Sequence, residues 1–296
     1  MNVLNLARFL SSFHNQDLAQ YLIAGFTHGF DIGFTGSFSD SRPANLRSAI
    51  QASEAVSTAI STEVKRGHTA GPFVAAPFTN FHCSPLGAVP KSNGSIRLIL
   101  DLSSPRSQSV NEGIPPEIFS MTYSRFDDAV NMVRNLGPSC FMAKVDIKHA
   151  FRLVPVRPQD YPLLGFHWNN KFYFDLRLSF GSRSSPCIFN NFADALCYIL
   201  ATYFGVKFIV HYLDDYFLAN FMAEASSSSC QLDVEAVLKA FDVLGIPVAI
   251  DKLVHPTQCL TYLGIEIDAV SMTIRLPNQK LVELIAELRS WERRSN

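Results

Sequence analysis

Two apolar runs, residues 207–211 and 216–219, stand on either side of the adjacent aspartates Asp214 and Asp215. Apolar runs this close together around a short tip predict a β-hairpin. Neighbouring carboxylates repel each other, and the group that usually offsets the repulsion is a divalent cation. Taken alone, an Asp-Asp pair is more often a turn or a cap. At the tip of an apolar hairpin it indicates metal-dependent phosphoryl chemistry.

A third carboxylate belongs to a second predicted strand. Residues 141–146 alternate so that Met142, Lys144 and Asp146 share one face, and the pattern breaks after Asp146. Nucleotidyl transfer needs two divalent metals about 3.5–4 Å apart, held by carboxylates on rigid elements. Adjacent strands of one sheet would bring Asp146 and Asp214 together. The two strand ends therefore predict a split metal site.

Composition limits the class of protein. With 296 residues, 48% of them hydrophobic and 17% charged, the chain is expected to fold as one large domain or as two to three interleaved subdomains. Lys and Arg number 25 against 26 Asp and Glu, so nucleic-acid binding would depend on local basic patches. The six scattered cysteines disfavour zinc and a disulfide framework.

Location in the cell follows from the same composition. Residues 1–10 are too polar and too short for a signal peptide. The longest apolar stretch, 196–210, is interrupted by Gly205 and Lys207 and is shorter than the roughly 20 residues of a membrane span. We therefore expect an intracellular protein, cytoplasmic or nuclear or both, that is not secreted and does not contact a membrane.

Sequence patterns also predict the order of the remaining elements. Residues 1–65 are expected to be mainly helical with a loop around 29–43, and 96–101 to form a strand after a turn at 91–95. Ser185 is expected as the N-cap of a helix with Pro186 at its first position. A solvated loop at 223–229, a helix at 231–244 and a closing strand at 260–267 follow. This order predicts an α+β sheet with helices packed on one face.

Four segments taken together resemble the motifs of reverse transcriptases in order and spacing. They lie at residues 145–151, 178–186, 212–215 and 262–265, and the resemblance covers about residues 75–270. It implies an α+β, right-hand polymerase fold with a palm, formed by a ferredoxin-like sheet with helices on one face, and fingers. The thumb would be absent or only begun. The implied divisions are an N-terminal helical extension at 1–69, fingers at 70–120 and 154–184, palm at 121–153 and 185–268, and the start of a thumb or connection at 269–296.

The resemblance assigns the metal site to three aspartates. Asp146 and Asp214 would be the principal ligands of two Mg²⁺ ions, with the backbone carbonyl of Ile147 as a further ligand and Mn²⁺ as a possible substitute. Asp215 would be a supporting acid beside them. All three aspartates are catalytic residues in this interpretation.

The resemblance also assigns contacts with the incoming nucleotide and the primer. Phe151 would exclude a ribose 2′-hydroxyl and so select dNTPs. Lys252 would lie near the triphosphate as a proton donor to pyrophosphate. The full set of implied dNTP contacts is Lys91 and Arg97 at the triphosphate, Phe151, Phe180 and Gly181 near the sugar and base, and Lys252. The primer grip would be the turn of Tyr262, Leu263 and Gly264. Taken singly, Lys91, Arg97 and Lys252 are more often solvated surface charges.

The implied activity is RNA-directed DNA synthesis: addition of dNTPs to a primer 3′-hydroxyl on an RNA or DNA template. Residues 21–26, 29–34 and 189–196 are most similar to retrotransposons of the tyrosine-recombinase (DIRS-like) group. In such a polyprotein an RNase H domain would lie downstream, and a recombinase would be a further partner. Two alternatives remain. One is an RNA-templated RNA polymerase, against which Phe151 argues, and the other is a catalytically silent relic that only binds nucleic acid.

Overall fold

The computed structural model describes residues 1–37, 40, 42–91, 94–221 and 228–294. The α-helices are α1 Val3–Leu10, α2 Gln16–His28, α3 Arg47–Gln51, α4 Ser53–Lys65, α5 Phe126–Leu136, α6 Ala150–Leu153, α7 Ser185–Phe204, α8 Ser228–Leu244 and α9 Asn278–Arg294. The strands are β1 Thr69–Phe73, β2 Leu86–Pro90, β3 Ile96–Leu100, β4 Phe141–Asp146, β5 Gly165–Trp168, β6 Lys171–Asp175, β7 Ile209–Tyr212, β8 Asp215–Asn220, β9 Val254–Thr257, β10 Cys259–Tyr262, β11 Ile265–Asp268 and β12 Thr273–Arg275. Short 3₁₀ helices cover Val110–Gly113, Pro158–Leu163 and Ile250–Lys252.

The chain divides into two compact units, each formed from two segments. The first unit contains Met1–Thr122 and His149–Ala195, and the second contains Tyr123–Lys148 and Leu196–Asn296.

The first unit combines the N-terminal helices with two small antiparallel sheets. One sheet has the order β1-β6-β5, and the other is the β2–β3 hairpin. The helical prediction for residues 1–65 is confirmed by α1 to α4, and Asn2 and Asn15 cap α1 and α2 by accepting hydrogen bonds from backbone amides. Phe81, Cys83, Phe172 and Phe174 form a buried cluster against the three-stranded sheet.

The second unit is built on a four-stranded sheet in the order β7-β8-β4-β9, with β7, β8 and β9 antiparallel to their neighbours. A separate sheet has the order β10-β11-β12. Tyr216 packs against Phe241 of α8, whereas Phe217 and Ala219 belong to a buried cluster with residues of α5. Successive strand residues point to opposite faces, so α8 and α5 lie on different faces of the sheet. In this detail the sheet differs from the expected placement of helices on one face.

Three boundaries differ from the sequence predictions. The predicted closing strand at 260–267 is two strands, β10 and β11, joined by a turn at Leu263 and Gly264. Helix α7 includes Ser185, whose hydroxyl donates to the carbonyl of Ser179, so Ser185 is not the N-cap. Helix α8 begins at Ser228, inside the predicted loop at 223–229; residues 223–227 of that loop lie outside the described residues, as do Ser92 and Asn93 of the predicted turn.

Helix α7 is, among the described residues, long and apolar enough to cross a membrane by length and composition. The core helix of a soluble protein passes the same test. Ile188, Phe189, Phe192 and Ile199 on this helix are fully buried inside the protein. The helix is thus weak support for a membrane span, and the expectation of no membrane contact stays a prediction.

Candidate active site

The three aspartates meet at one end of the four-stranded sheet. Strand β4 ends at Asp146, which is paired directly with Asp215, the first residue of β8. Asp214 lies in the two-residue turn between β7 and β8, after Leu213 at a φ of 53°. The amide of Ile147 donates to the carbonyl of Asp214 at 3.0 Å, which fixes the turn against the end of β4. The predicted convergence of two strand ends is present in this unit.

Two lysines accompany the carboxylates. Lys252 Nζ lies 2.8 Å from Asp146 Oδ2, and Lys144 Nζ lies 3.6 Å from Asp215 Oδ2. Lys144 is two residues before Asp146, so both project from the same face of β4. The sequence placed Lys144 on that face but assigned it no role. Asp146 is 5% exposed, and a carboxylate this buried requires a compensating charge, which Lys252 supplies.

The electrostatics of the cluster favour an added cation. Burial raises the pKa of Asp215 to about 6; Lys144 opposes this shift, and the charges of Asp146 and Asp214 add to it. Burial alone would lower the pKa of Lys252, but its hydrogen bond to Asp146 and the charges of the three aspartates raise it. The site therefore contains more negative charge than its two lysines neutralise.

The carboxylates fit a divalent metal by their chemistry. Asp215 Oδ1 is buried and has no hydrogen-bond partner within the described residues. Carboxylate oxygens are the ligands that Mg²⁺ prefers. No group of three or more His, Cys, Asp or Glu in the described ranges is already arranged as a metal site, and Asp146 instead contacts the ammonium group of Lys252. Roles for Asp146, Asp214 and the Ile147 carbonyl as ligands remain predictions.

The predicted primer-grip residues form the turn of a hairpin beside this sheet. Tyr262 pairs with Ile265, and Leu263 and Gly264 between them both have positive φ. The Tyr262 ring lies 5.1 Å from that of Phe217, and its hydroxyl donates to the carbonyl of Asp215 at 3.5 Å. The hairpin is thus attached to the strand that carries Asp215.

The predicted nucleotide contacts, apart from Lys252, lie in the first unit. The rings of Phe151 and Phe180 are 5.2 Å apart, and the guanidinium of Arg97 lies over the Phe180 ring at 5.0 Å. Phe151 also contacts Phe189, at 5.7 Å between ring centres. Lys91 is exposed at the base of the β2–β3 turn, where its amide donates to the carbonyl of Ser95. The structure thus groups Arg97, Phe151 and Phe180, and leaves Lys91 outside this aromatic group.

Gly181 is required by a close approach of two backbones. It has a φ of +119°, and a Cβ at this position would lie 2.1 Å from the carbonyl oxygen of Leu100. Leu100 in turn donates its amide to the carbonyl of Phe180, and Asn111 donates to the carbonyl of Gly181. Only glycine combines this φ with this separation. Gly181 therefore attaches the segment bearing Phe180 to the end of β3.

The sheet order and the paired strand-end aspartates define a palm-and-fingers polymerase fold, and comparison with known proteins agrees. The family model "Reverse transcriptase (RNA-dependent DNA polymerase)" matches residues 89–267. The chain belongs to this family.

Two curated relatives and two solved structures show the extent of the similarity. The Gag-Pro-Pol polyprotein of squirrel monkey retrovirus is 24% identical over 198 residues, which cover 62% of this chain and 9% of the polyprotein. The Pro-Pol polyprotein of simian foamy virus type 1 is 24% identical over 187 residues, which cover 62% of this chain and 14% of the polyprotein. The chain thus spans a small part of both relatives.

The foamy viral protease-reverse transcriptase in complex with double-stranded DNA matches with a TM-score of 0.64 at 18% identity, over 94% of this chain and 48% of that chain. The same viral protein in complex with an RNA/DNA hybrid matches with a TM-score of 0.61 at 18% identity, over 94% of this chain and 37% of that chain. At these identities the structures support the palm-and-fingers fold alone.

Proposed function

We propose that this chain is an RNA-directed DNA polymerase, a nucleotidyltransferase that adds dNTPs to a primer 3′-hydroxyl on an RNA or DNA template. The observation that carries the proposal is the direct pairing of Asp146 with Asp215 beside the Asp214 turn, in a chain of the reverse transcriptase family. A sheet end with three carboxylates suits two-metal phosphoryl transfer.

In this proposal Asp146 and Asp214 hold two Mg²⁺ ions, for which Mn²⁺ is a substitute, and Asp215 supports them. Bound Mg²⁺ would supply Lewis-acid activation of the primer hydroxyl and charge neutralisation at the triphosphate. Lys252, already beside Asp146, donates a proton to the leaving pyrophosphate. The turn of Tyr262, Leu263 and Gly264 positions the primer end.

In the same proposal, residues of the first unit bind and select the incoming nucleotide. Lys91 and Arg97 bind the triphosphate, and Phe180 with Gly181 lies under the base. Phe151 excludes the ribose 2′-hydroxyl, and its contacts with Phe180 and Phe189 support its ring in place. Backbone contacts with template and primer would make binding salt-dependent and tolerant of sequence.

We further propose that the chain derives from a retrotransposon polyprotein of the DIRS-like tyrosine-recombinase group. The amino-acid sequence of residues 21–26, 29–34 and 189–196 supports this origin, whereas the two relatives above are retroviral. RNase H and recombinase domains would be its partners in the polyprotein, and the cytoplasm or nucleus its location.

Primer extension by the purified chain tests the proposed activity. An RNA template with a DNA primer is supplied with Mg²⁺ or Mn²⁺ and either dNTPs or rNTPs. The proposal predicts extension with dNTPs and little with rNTPs. Extension with rNTPs alone would identify an RNA polymerase, and extension with neither would support a silent relic that only binds nucleic acid.

A further inference from the structure

A buried ion network in the first unit links the residues next to Phe151 and Phe180. Arg152, which follows Phe151 in α6, is 8% exposed. Its Nε lies 3.2 Å from Glu63 Oε2, and its NH1 lies 2.7 Å from Asp175 Oδ2. The N–H groups of NH1 are not aligned for a hydrogen bond, so the contact between Arg152 and Asp175 is an ion pair without a hydrogen bond. Arg152 is therefore placed between two carboxylates.

Asp175 extends the network to the segment that carries Phe180. It is 2% exposed and accepts hydrogen bonds from Thr69 Oγ1 at 2.8 Å and from Ser179 Oγ at 2.7 Å. Ser179 immediately precedes Phe180. One carboxylate thus joins the neighbour of Phe151 to the neighbour of Phe180, whose rings are 5.2 Å apart.

Glu63 completes the network, and it lies in the sequence before the residues that the family model matches. It lies near the end of α4, whereas the match begins at residue 89. Glu63 Oε2 is also 3.1 Å from His68 Nδ1, and Oε1 accepts from Arg66 at 3.3 Å. Burial alone would raise the pKa of Glu63, but the hydrogen bond with His68 and the charge of Arg152 hold it at about 2. The carboxylate is therefore charged at neutral pH.

We propose that Glu63 is a positioning residue for sugar selection. Through Arg152 and Asp175 it fixes the placement of Phe151 relative to Phe180, and so sets the discrimination between dNTPs and rNTPs. A buried guanidinium that loses one of two counter-charges moves toward the other or toward water. Helix α6 has only four residues, so a shift of Arg152 displaces the adjacent Phe151. The inference rests on the proposed polymerase function.

Glu63→Gln tests this role in the full chain, with Glu54→Gln as the matched control on the exposed part of the same helix. The measurement is kcat/KM for one dNTP and the corresponding rNTP on a primed RNA template. Glu63→Gln should lower the dNTP/rNTP ratio by about 2- to 30-fold, the range for changes that act through intermediate side chains. Glu54→Gln should leave the ratio unchanged.

A second measurement separates positioning from general damage. In a Phe151→Ala background the excluding ring is absent, so adding Glu63→Gln should not lower the ratio further. The inference is wrong if Glu63→Gln reduces kcat/KM equally for the dNTP and the rNTP. It is also wrong if Glu63→Gln lowers the dNTP/rNTP ratio by the same factor in the wild type and in Phe151→Ala.

Three further outcomes bear on the inference. If Glu63→Gln does not fold, Thr69→Val removes a single hydrogen bond to Asp175, and an unchanged ratio in that variant overturns the inference. A wild-type chain that incorporates no nucleotide contradicts the proposed function and removes the basis of the inference with it. An active wild-type chain with an unaltered ratio in Glu63→Gln contradicts the inference alone.

Discussion

Lys252 Nζ lies 2.8 Å from Asp146 Oδ2 and thereby pairs a positive charge with the carboxylate at the end of β4. The amide of Ala249 donates to the carbonyl of Asp146, which holds the short 3₁₀ helix bearing Lys252 beside the strand. In the proposed mechanism this ammonium group is the proton donor to the leaving pyrophosphate.

Lys252→Met should lower kcat for dNTP addition by about 100-fold, the lower range for loss of a general acid. The KM for dNTP should change little, because the proton is needed in the transition state and not in the bound substrate. Single-nucleotide kinetics with Lys239→Met, an exposed lysine of α8, as control would measure this. An unchanged kcat would remove Lys252 from the mechanism.

Phe151→Ala should lower the preference for dNTPs over rNTPs by about 10- to 100-fold, the range over which pocket shape distinguishes small groups. In the wild type the ring of Phe151 packs against the rings of Phe180 and Phe189. Phe151→Tyr retains the ring and should retain the preference. Equal discrimination by the alanine variant and the wild type would show that another residue excludes the ribose.

Gly181→Ala should destabilise the fold by about 3 kcal/mol or more, because strain at positive φ adds to overlap with a backbone atom. The added Cβ would lie 2.1 Å from Leu100 O. Gly137→Ala is the control, since Gly137 has a φ of +87° with nothing within 4 Å of its Cβ, and it should cost only about 1 kcal/mol. Urea denaturation measures both free energies of unfolding. If Gly181→Ala and Gly137→Ala lower the free energy of unfolding equally, the close approach of Gly181 to Leu100 does not add to the cost of the substitution.

Glu63 makes the stability of the chain depend on acid pH. Its pKa is lowered from 4.5 to about 2, so its stabilising contribution is complete above pH 4.5 and is lost as the pH falls toward 2. Thermal unfolding of the wild type and Glu63→Gln should therefore differ most near neutral pH and converge as the pH falls through this window. A difference that is constant with pH would show that ionised Glu63 does not stabilise the fold.

The sequence predicted the carboxylate end of the sheet because short-range patterns determine it. Alternation in residues 141–146 and the apolar runs around Asp214 predicted β4 and the β7–β8 hairpin, and the structure shows Asp146 paired with Asp215. The apolar pattern predicted a single strand at 260–267 because apolar residues continue through Leu263. The structure divides this segment into β10 and β11 at Leu263 and Gly264, where the family resemblance implied a turn.

Contacts between distant segments were not predictable in the same way. The pairing of Glu63 with Arg152 joins a helix of the N-terminal region to α6, and no spacing along the chain indicates it. Lys144 was placed on the correct face, but its approach to Asp215 depends on the register between β4 and β8. Ser185 was assigned as an N-cap because Pro186 and apolar residues at helical spacing follow it, whereas its hydroxyl donates to the carbonyl of Ser179.

Primer extension by Asp214→Asn tests the central claim most directly. The substitution keeps the shape of the side chain and removes the charge that a metal ligand needs, while the β7–β8 turn is held by the backbone of Asp214. Asp242→Asn, on the exposed face of α8, is the control. With Mg²⁺, a primed RNA template and dNTPs, we predict no extension by Asp214→Asn, normal extension by Asp242→Asn and unaltered circular dichroism for both. Extension by Asp214→Asn at the wild-type rate would contradict the assignment of this sheet end as the polymerase active site.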